Sequence, residues 1–193
     1  MKLVLATRNP HKVREFDALL KPHEVGPLPA DVELPPETGT TFAQNALVKA
    51  RTASQALGVA AIADDSGIES AALGGAPGVR SARFAGEDAT DQENLDKLLA
   101  EAPAGSGLRY VCAIAYVDPV AGVEHVVEGA CTGTLAATPS GAGGFGYDPA
   151  FIPDDELPDG APGRTMAELT DAEKDAISHR GRAARALGEW LGT

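Results

Sequence analysis

The chain has 193 residues, a length that predicts one domain with enough apolar side chains to form a core without disulfides or metals. Twenty-eight acidic residues against sixteen basic ones give a net charge of −12, which argues against nucleic acid and anionic membrane surfaces as partners. Apolar residues make up 44% and charged residues 23% of the chain, a balance that excludes intrinsic disorder.

Three further features of the sequence concern the compartment. No apolar run approaches the roughly 20 residues that a membrane-spanning helix needs. The N-terminal apolar segment reaches Arg8 too early to be the core of a signal peptide. Cys112 and Cys131 lie in apolar, strand-like segments without metal-ligand spacing, so we expect them to be reduced, buried and structural. Together these features predict a cytoplasmic protein.

The first third of the chain alternates strand and helix patterns. The apolar segment from Lys2 to Ala6 predicts a strand, and apolar residues at helical spacing predict a helix over 13–20. A Pro-rich stretch from Pro22 to Pro36 interrupts this pattern. Thr41-Phe42-Ala43-Gln44 fits a capping box that opens a helix to about residue 57, and 59–63 predicts a short buried strand. A strand, a polar loop and a helix in succession are typical of an α/β fold.

The rest of the chain continues the mixture of strands and helices. The predicted elements are a helix over 90–101, long strands at 108–117 and 123–136, a short strand at 150–152 and a helical tail over 170–191. A capping box at Thr170 to Glu173 opens the tail, and Ser178 is a second helix start. We therefore predict a break near Ser178 and a mixed α/β protein.

A first cluster of polar residues, the loop Thr7 to Lys12, joins the first strand to the first helix. Backbone N–H groups at a helix N-terminus, with Thr7, Asn9 and Lys12 beside them, would form a cradle for phosphate. The segment contains no glycine and is not a Walker A loop, so a solvated, capped turn is the alternative.

A second cluster consists of Asp64-Asp65-Ser66-Gly67, with Glu37 upstream. Ligands of open α/β sheets bind beyond the carboxyl ends of the strands, and adjacent carboxylates there require a neutralising cation. Carboxylate oxygens suit Mg²⁺, which proteins hold with one or two carboxylates and substrate phosphates. The alternative is an Asp-rich turn closed by Ser66 and Gly67.

A third cluster combines the segment Phe145 to Asp148 with Lys174 and Ser178-His179-Arg180. Aromatic residues on either side of Gly146 would clamp a planar base by stacking. The alternatives are core packing for the aromatic rings and a surface position for His179 and Arg180.

In order and spacing, six motifs over residues 2–191 resemble the inosine triphosphate pyrophosphatase family. They are T-x-N-x-x-K from residue 7, E-T-G-x-T-F-x-x-N-A-x-x-K-A from 37, A-D-D-S-G-I from 63, L-G-G-A-P-G-V-x-S-A-R-F-A-G from 73, G-G-F-G-Y-D-P-x-F from 143 and K-x-A-I-S-H-R-G from 174. The resemblance is specific because linked motifs extend over nearly the whole chain.

The resemblance implies a fold and an activity. The implied fold is α/β, an elongated mixed sheet with flanking helices, forming one domain over 1–193 whose two lobes enclose the active site in a central cleft. The implied enzyme hydrolyses purine nucleoside triphosphates with a 6-oxo base (ITP, dITP and XTP) to the monophosphate and pyrophosphate, which cleanses the nucleotide pool. The resemblance also implies Mg²⁺ as cofactor and a homodimer.

Individual site residues follow from the same resemblance. The phosphates would be held by Thr7, Arg8, Asn9, Pro10, His11 and Lys12, with Lys49 adding a positive charge. Glu37 and Asp65 would hold Mg²⁺, Asp65 would also accept the proton of the attacking water, and Ser66 would contact the substrate. The base would be held by Phe145, Gly146, Tyr147, Asp148, Lys174, His179 and Arg180.

Two positions depart from the family pattern in the phosphate loop. Arg8 stands where the family commonly has glycine, and His11 stands where glycine or lysine is frequent. Both residues add hydrogen-bond donors to the loop and leave the carboxylates untouched, so they bear on affinity rather than on reaction type.

Two other functions stay open. One is a catalytically silent nucleotide-binding module, although the retention of Glu37, Lys49 and Asp65 argues against it. The other is a house-cleaning pyrophosphatase for other modified nucleotides, such as pyrimidines. For the base, Lys174 and Arg180 can only donate hydrogen bonds, which predicts acceptance of a 6-oxo group and rejection of adenine. No residue in the sequence accounts for rejection of guanine.

Overall fold

The computed structural model of the protein describes residues 1–157 and 163–193 and has a mixed α/β fold, as the sequence predicts. Its strands are β1 (Lys2–Leu5), β2 (Glu24–Pro27), β3 (Ala61–Ser70), β4 (Gly107–Asp118), β5 (Val123–Leu135) and β6 (Phe151–Pro153). They form one sheet in the order β2-β1-β3-β4-β5-β6. β1 is parallel to β2 and β3, whereas β5 and β6 are antiparallel, so the sheet is mixed.

The helices are α1 (Pro10–Leu19), α2 (Phe42–Leu57), α3 (Asp91–Glu101), α4 (Asp171–Ile177) and α5 (His179–Leu191). α3 begins with a complete capping box, in which the side chains of Thr90 and Glu93 each accept from the other residue's backbone N–H. At α2 only half of the predicted box forms. The Thr41 side chain accepts from the Gln44 N–H, but the Gln44 side chain accepts from Thr40 rather than from Thr41.

The structure corrects two strand predictions. β2 lies inside the Pro-rich stretch, where four residues with a glycine and a proline carry too little strand pattern to be recognised. β3 does not end at Ala63 but continues through Asp64 and Asp65 to Ser70. The pairing of β1 with β3 ends at Leu5 opposite Ile62, and β3 continues past that point with β4 as its other neighbour in the sheet. Asp64 and Asp65 therefore lie inside a strand, just past its parallel partner.

The predicted helix break at Ser178 is confirmed. The capping box of Thr170 and Glu173 opens α4, and Ser178 adopts an extended ψ of 154° while its N–H donates to the Lys174 carbonyl. α5 begins at the next residue, His179. His179 and Arg180 thus belong to the first turn of a new helix.

The chain divides into two compact units, and the division falls inside β3, β4 and β5. Unit 1 comprises residues 1–65, 112–129 and 180–193. Its core packs α1, β1 and α5 around buried apolar side chains such as Leu5, Phe16, Ile62 and Leu187.

Unit 2 comprises the described residues of 66–111 and 130–179. Its core gathers apolar side chains from α3, β4 and β6, including Leu95, Leu98, Tyr110 and Phe151. Cys112 of unit 1 and Cys131 of unit 2 are both buried, as expected. In the part of the chain that the structure describes, no helix is long and apolar enough to cross a membrane.

Candidate active site

The phosphate-loop segment joins β1 to α1 in unit 1 and is held by its own side chains. Asn9 is the N-cap of α1 and its side chain accepts a hydrogen bond from the His11 N–H at 2.9 Å. The Thr7 hydroxyl accepts from the Asn9 N–H at 3.2 Å, and Pro10 occupies the first helical turn, where no N–H partner is needed. The segment is therefore a capped helix N-terminus, as the sequence predicts.

The Arg8 side chain was expected to add hydrogen-bond donors for a ligand, but its donors are engaged within the protein. Its guanidinium donates to backbone carbonyls of the segment 28–32, namely those of Leu28, Pro29, Ala30 and Val32. His11 in turn shares a hydrogen bond with Arg14 at 2.9 Å. Arg8 thus links the phosphate loop to the Pro-rich stretch instead of pointing its donors at an open site.

This link makes a prediction for Arg8→Met. We expect the free energy of unfolding to fall by about 1 to 2 kcal/mol, because several hydrogen bonds to a charged group are lost. The KM for nucleotide should change less than about twofold if Arg8 serves the loop alone. Urea unfolding and steady-state kinetics check both values, and Lys2→Met, which removes only an exposed pair with Glu24, is the control. A large rise in KM at unchanged stability would instead assign Arg8 to the substrate.

Lys12 belongs to a buried ionic network around Asp64. The Lys12 Nζ lies 2.7 Å from Asp64 Oδ2, and the Arg180 Nε lies 3.8 Å from the same oxygen. Arg180 also donates through Nη1 to both oxygens of Glu15 on α1, at 3.1 and 2.9 Å. Asp64 and Arg180 are only 1% and 2% exposed, so these charges depend on one another for compensation.

The electrostatics of Asp64 follow from this network. Burial by itself raises the pKa of a carboxyl group, but the positive charges of Lys12, Arg180 and Lys49 outweigh it and lower the pKa of Asp64 to about 2. Asp64 is therefore ionised at neutral pH and fixes the position of the loop lysine.

Asp65 follows in the same strand and has other partners. Its Oδ2 accepts from the Asn45 Nδ2 at 2.8 Å. Glu37 accepts from the Lys49 Nζ at 2.5 Å, and Lys49 lies on α2, one turn after Asn45. Helix α2 thus brings one polar side chain to each of the two predicted metal ligands.

The pKa values of this group show how its charges interact. Burial raises the pKa of Asp65, and the negative charge of Glu37 adds to that rise, whereas Lys49 opposes it. Burial lowers the pKa of Lys49, but Asp64, Glu37 and Asp65 outweigh it and hold the pKa above its usual value. Two carboxylates that repel each other beside a cation form an environment that favours a further positive charge.

Unit 2 holds most of the residues predicted to bind a base. Asp148 is 3% exposed, and its carboxylate accepts from the Lys174 Nζ at 2.7 Å and from the Tyr110 hydroxyl at 3.1 Å. The Phe145 N–H donates to the same carboxylate at 2.9 Å, and the Lys174 Nζ lies 5.0 Å from the Phe145 ring centroid. Phe145 is 46% exposed, so it is not packed in the core.

The other members of the set are mostly buried. The Tyr147 hydroxyl donates to the Ser81 carbonyl at 2.6 Å, and the Gly146 N–H donates to Asp91. Burial raises the pKa of Tyr147 above its usual value. The His179 ring stacks on Tyr110 with centroids 4.6 Å apart, and Ser66 is half-buried in β3. His179 and Arg180 are both buried, so the alternative of a surface position is wrong for both.

The sequence alone does not indicate a site role for three residues of these networks, Tyr110, Asn45 and Glu15. Tyr110 sits in an apolar strand, where only the need of a buried hydroxyl for a partner gives a signal. Asn45 lies on the buried face of α2, one turn before Lys49. A polar residue on an otherwise apolar helix face is a signal that the sequence does contain. The sequence places Asp64 in the second polar cluster but does not indicate its ion partners Lys12 and Arg180. Glu15 carries no local signal at all.

The chain is similar to known proteins both in sequence and in structure. The sequence model of the Ham1 family matches residues 3–190. A dITP/XTP pyrophosphatase of Streptomyces coelicolor is 48% identical, covering 96% of this chain and 94% of the relative. A dITP/XTP pyrophosphatase of Yersinia pseudotuberculosis is 49% identical, covering 96% and 95%. A HAM1 protein from Coxiella burnetii has a similar structure, with a TM-score of 0.86, 39% identity and coverage of 99% and 98%.

Proposed function

The chain belongs to the Ham1 family, and on that premise we propose that it hydrolyses nucleoside triphosphates with a 6-oxo purine base (ITP, dITP and XTP) to the nucleoside monophosphate and pyrophosphate. The observation that carries this proposal is the grouping in unit 1 of a capped phosphate loop, a loop lysine fixed by Asp64, and two carboxylates, Glu37 and Asp65, that each accept a hydrogen bond from a side chain of α2. Cleavage of a phosphoanhydride needs charge neutralisation on the phosphates and a positioned water. The cationic groups serve the first requirement, and the carboxylates serve the second.

The phosphates are assigned to the loop Thr7 to Lys12 and to Lys49, with the Arg8 side chain holding the loop rather than contacting the phosphates. The helix N-terminus supplies N–H groups and a positive dipole end, and Lys12 supplies a charge held in place by Asp64. Lys49 is bound to Glu37 and is close enough to Asp64 and Asp65 to sense their charges. On this proposal Lys49 exchanges its bond with Glu37 for a phosphate oxygen when the nucleotide binds.

Magnesium is assigned to Glu37 and Asp65. Their oxygens are the hard donors that Mg²⁺ prefers, and the repulsion between them is the kind that a cation relieves. Among the described residues, no group of three or more His, Cys, Asp or Glu is placed to hold a metal ion. Two carboxylates completed by substrate phosphates therefore fit Mg²⁺ better than a metal held by protein ligands alone. When bound, Mg²⁺ supplies electrostatic stabilisation of the charge on the phosphate oxygens.

Asp65 is the proposed proton acceptor for the attacking water. Its raised pKa makes it a stronger base than a surface aspartate, and Asn45 holds one of its oxygens at 2.8 Å. The next residue, Ser66, is the proposed contact to the substrate beside it.

The base is assigned to unit 2. Lys174 is held by the buried Asp148 beside the exposed Phe145 ring, an arrangement suited to a donor at O6 and a stacking face for the purine. Tyr147 and His179 are assigned to the same base site. The Tyr147 hydroxyl bonds the Ser81 carbonyl, and the His179 ring stacks on Tyr110. Because Arg180 is 2% exposed and bound to Glu15, we assign it to the support of Asp64 and Lys12 rather than to the base itself.

Both sets of residues are proposed to act on one nucleotide, which requires residues 1–193 to work as a single domain with the substrate in a cleft between two lobes. A homodimer and a cytoplasmic location are proposed with the same activity. Analytical ultracentrifugation of the purified protein and fractionation of its source cells check these two assignments.

The role of Lys174 makes a prediction for Lys174→Met. We expect kcat/KM for ITP to fall about 10- to 100-fold, while the much lower value for ATP changes less than about threefold, because only the 6-oxo base accepts from the lysine. The ratio of ITP to GTP should stay constant, since guanine also carries O6. Lys97→Met is the matched control, because the Lys97 Nζ lies 4.5 Å from the centroid of another ring, that of Phe84, in the same unit.

A nucleotide panel tests the proposed function as a whole. Pyrophosphate release is measured for ITP, dITP, XTP, ATP, GTP and modified pyrimidine triphosphates, with Mg²⁺ and with a chelator. We expect Mg²⁺-dependent turnover confined to the first three. Binding of ITP without turnover would identify a silent binding module, and turnover of pyrimidines alone would identify a different house-cleaning enzyme.

A further inference from the structure

Asn45 is a buried amide to which the proposed mechanism gives no role of its own. It is the fourth residue of α2 and only 3% of it is exposed. Its Nδ2 donates to Asp65 Oδ2 at 2.8 Å, and its Oδ1 accepts from the Gly39 N–H at 2.7 Å. One side chain therefore bonds a predicted metal ligand in β3 and the loop that carries the other, Glu37.

The two partners determine the orientation of this amide. A carboxylate oxygen can only accept and a backbone N–H can only donate. Rotating the amide by half a turn would place its oxygen against the carboxylate of Asp65 and its NH₂ group against the Gly39 N–H. Both contacts would then be repulsive, so the side chain has one orientation that satisfies both partners.

Gly39 is required for this contact on steric grounds. A Cβ built on Gly39 would lie 2.6 Å from Asn45 Oδ1 and 2.9 Å from the Gln44 Cβ, closer than van der Waals contact allows. The φ of Gly39 lies outside the left-handed region, so its backbone conformation is open to other residues. The missing side chain matters here because it lets the loop approach Asn45.

The same face of α2 carries a second link one turn later. Lys49 lies four residues after Asn45 and donates to Glu37, which is two residues before Gly39. A small pocket is lined by Glu37, Gly39, Asn45 and Lys49 among others. The side chains of Asn45 and Lys49 therefore tie the Glu37 loop to α2 at two points and Asp65 at one.

We infer that Asn45 is a positioning residue that sets the separation of Glu37 and Asp65 for a divalent cation, with Gly39 as the close approach that makes this link possible. The inference rests on the proposed function, which assigns those two carboxylates to the metal. Asn45 suits this role because an uncharged amide orients Asp65 without cancelling its negative charge, whereas a lysine in its place would compete with the metal. Groups that orient metal ligands in this way commonly change metal affinity 10- to 100-fold when they are removed.

The test measures Mn²⁺ binding to the full-length protein in the presence of inosine monophosphate, the proposed product, which supplies a phosphate group but cannot be hydrolysed further to pyrophosphate; the readout is electron paramagnetic resonance of the free ion. Mn²⁺ is the probe because it shares the preference of Mg²⁺ for oxygen ligands. Asn45→Ala removes the link from one side, and Gly39→Ala pushes it apart from the other. In both variants we expect the Kd for Mn²⁺ to rise at least about 10-fold. In turnover, the KM for Mg²⁺ should rise while the KM for ITP at saturating Mg²⁺ changes little.

The chain offers matched controls for both variants. Asn94 is also the fourth residue of its helix and is 2% exposed, and it bonds the Ala85 N–H and the Ala82 carbonyl, away from the carboxylates. A Cβ on Gly107 would meet only the Ala71 Cβ, at an ordinary 3.7 Å. We expect Asn94→Ala and Gly107→Ala to leave the Kd for Mn²⁺ within about twofold of the wild type.

The outcomes separate this inference from the function on which it rests. If wild type binds Mn²⁺ and Asp65→Asn abolishes binding, but Asn45→Ala and Gly39→Ala bind as tightly as wild type, the positioning role is wrong and the metal site stands. If Asp65→Asn binds Mn²⁺ like wild type, the metal assignment itself fails and the inference with it. Should Asn45→Ala fail to fold, Gly39→Ala decides, because its added methyl group stands in a half-buried loop.

Discussion

Replacing Asp65 with asparagine is expected to lower kcat for ITP at least 100-fold and as much as about 10⁴-fold, the usual cost of losing a general base. The fold should survive, because the change is nearly isosteric and the new side-chain oxygen can still accept from Asn45. The loss should therefore appear in kcat while circular dichroism and the unfolding midpoint stay close to wild type. Pyrophosphate release at saturating Mg²⁺ and ITP measures it.

Asp118→Asn is the control for this substitution, because Asp118 serves a surface turn by accepting from the Val120 and Ala121 N–H groups. Its kcat should equal that of wild type. An Asp65→Asn enzyme that keeps more than about a tenth of the wild-type kcat would show that Asp65 is not the base.

The second large effect is expected on stability, from Asp64→Ala. Removing one partner of a buried ion pair leaves the other charges without compensation, which costs about 3 to 5 kcal/mol. Arg180 keeps Glu15 as a partner, so we expect a value near the lower end, about 3 kcal/mol, measured by urea unfolding at pH 7. Glu124→Ala breaks an exposed pair with Arg51 and should change stability far less. Equal effects of the two variants would contradict the buried network.

The same network predicts an acid limb in the stability of the wild type. The folded pKa of Asp64 is lowered to about 2 from an unfolded value near 3.8. The resulting stabilisation, about 2 kcal/mol, is present above pH 4 and is lost as the pH falls from about 4 to 2. Asp64→Asn should show a shallower loss of stability over that interval, and an unchanged acid limb would mean that other carboxylates produce it.

Local signals in the sequence account for the parts of the fold that were predicted. The break at Ser178 was predictable because the caps at Thr170 and Ser178 act over three or four residues. The long strand β4 was predictable from its continuous apolar run over 110–117, and β5 from its valine and threonine residues beyond the turn at 118–122. The end of β3 was not, because the strand continues through Asp64 and Asp65 beside β4, and polar residues within a strand look like a loop until that neighbour is known.

For the candidate site, motifs identified the residues but not their partners. Lys12 and Asp64 are 52 positions apart and Glu15 and Arg180 are 165 positions apart, so only the tertiary fold pairs them. The sequence suggested that Asp148 and Arg180 both face the base. The structure engages the Asp148 carboxylate with Tyr110, Lys174 and Phe145, and Arg180 with Glu15 and Asp64. Such assignments depend on which donors and acceptors are already satisfied within the folded chain.

Phosphorus NMR of the products formed from ITP with Mg²⁺ tests the central claim most directly, because it shows which phosphoanhydride bond is broken. The proposed function predicts resonances of inosine monophosphate and pyrophosphate in equal amounts, and neither product from the Asp65→Asn variant on the same time scale. Release of orthophosphate with inosine diphosphate, or an ITP spectrum that does not change under conditions where the protein is folded, would contradict it.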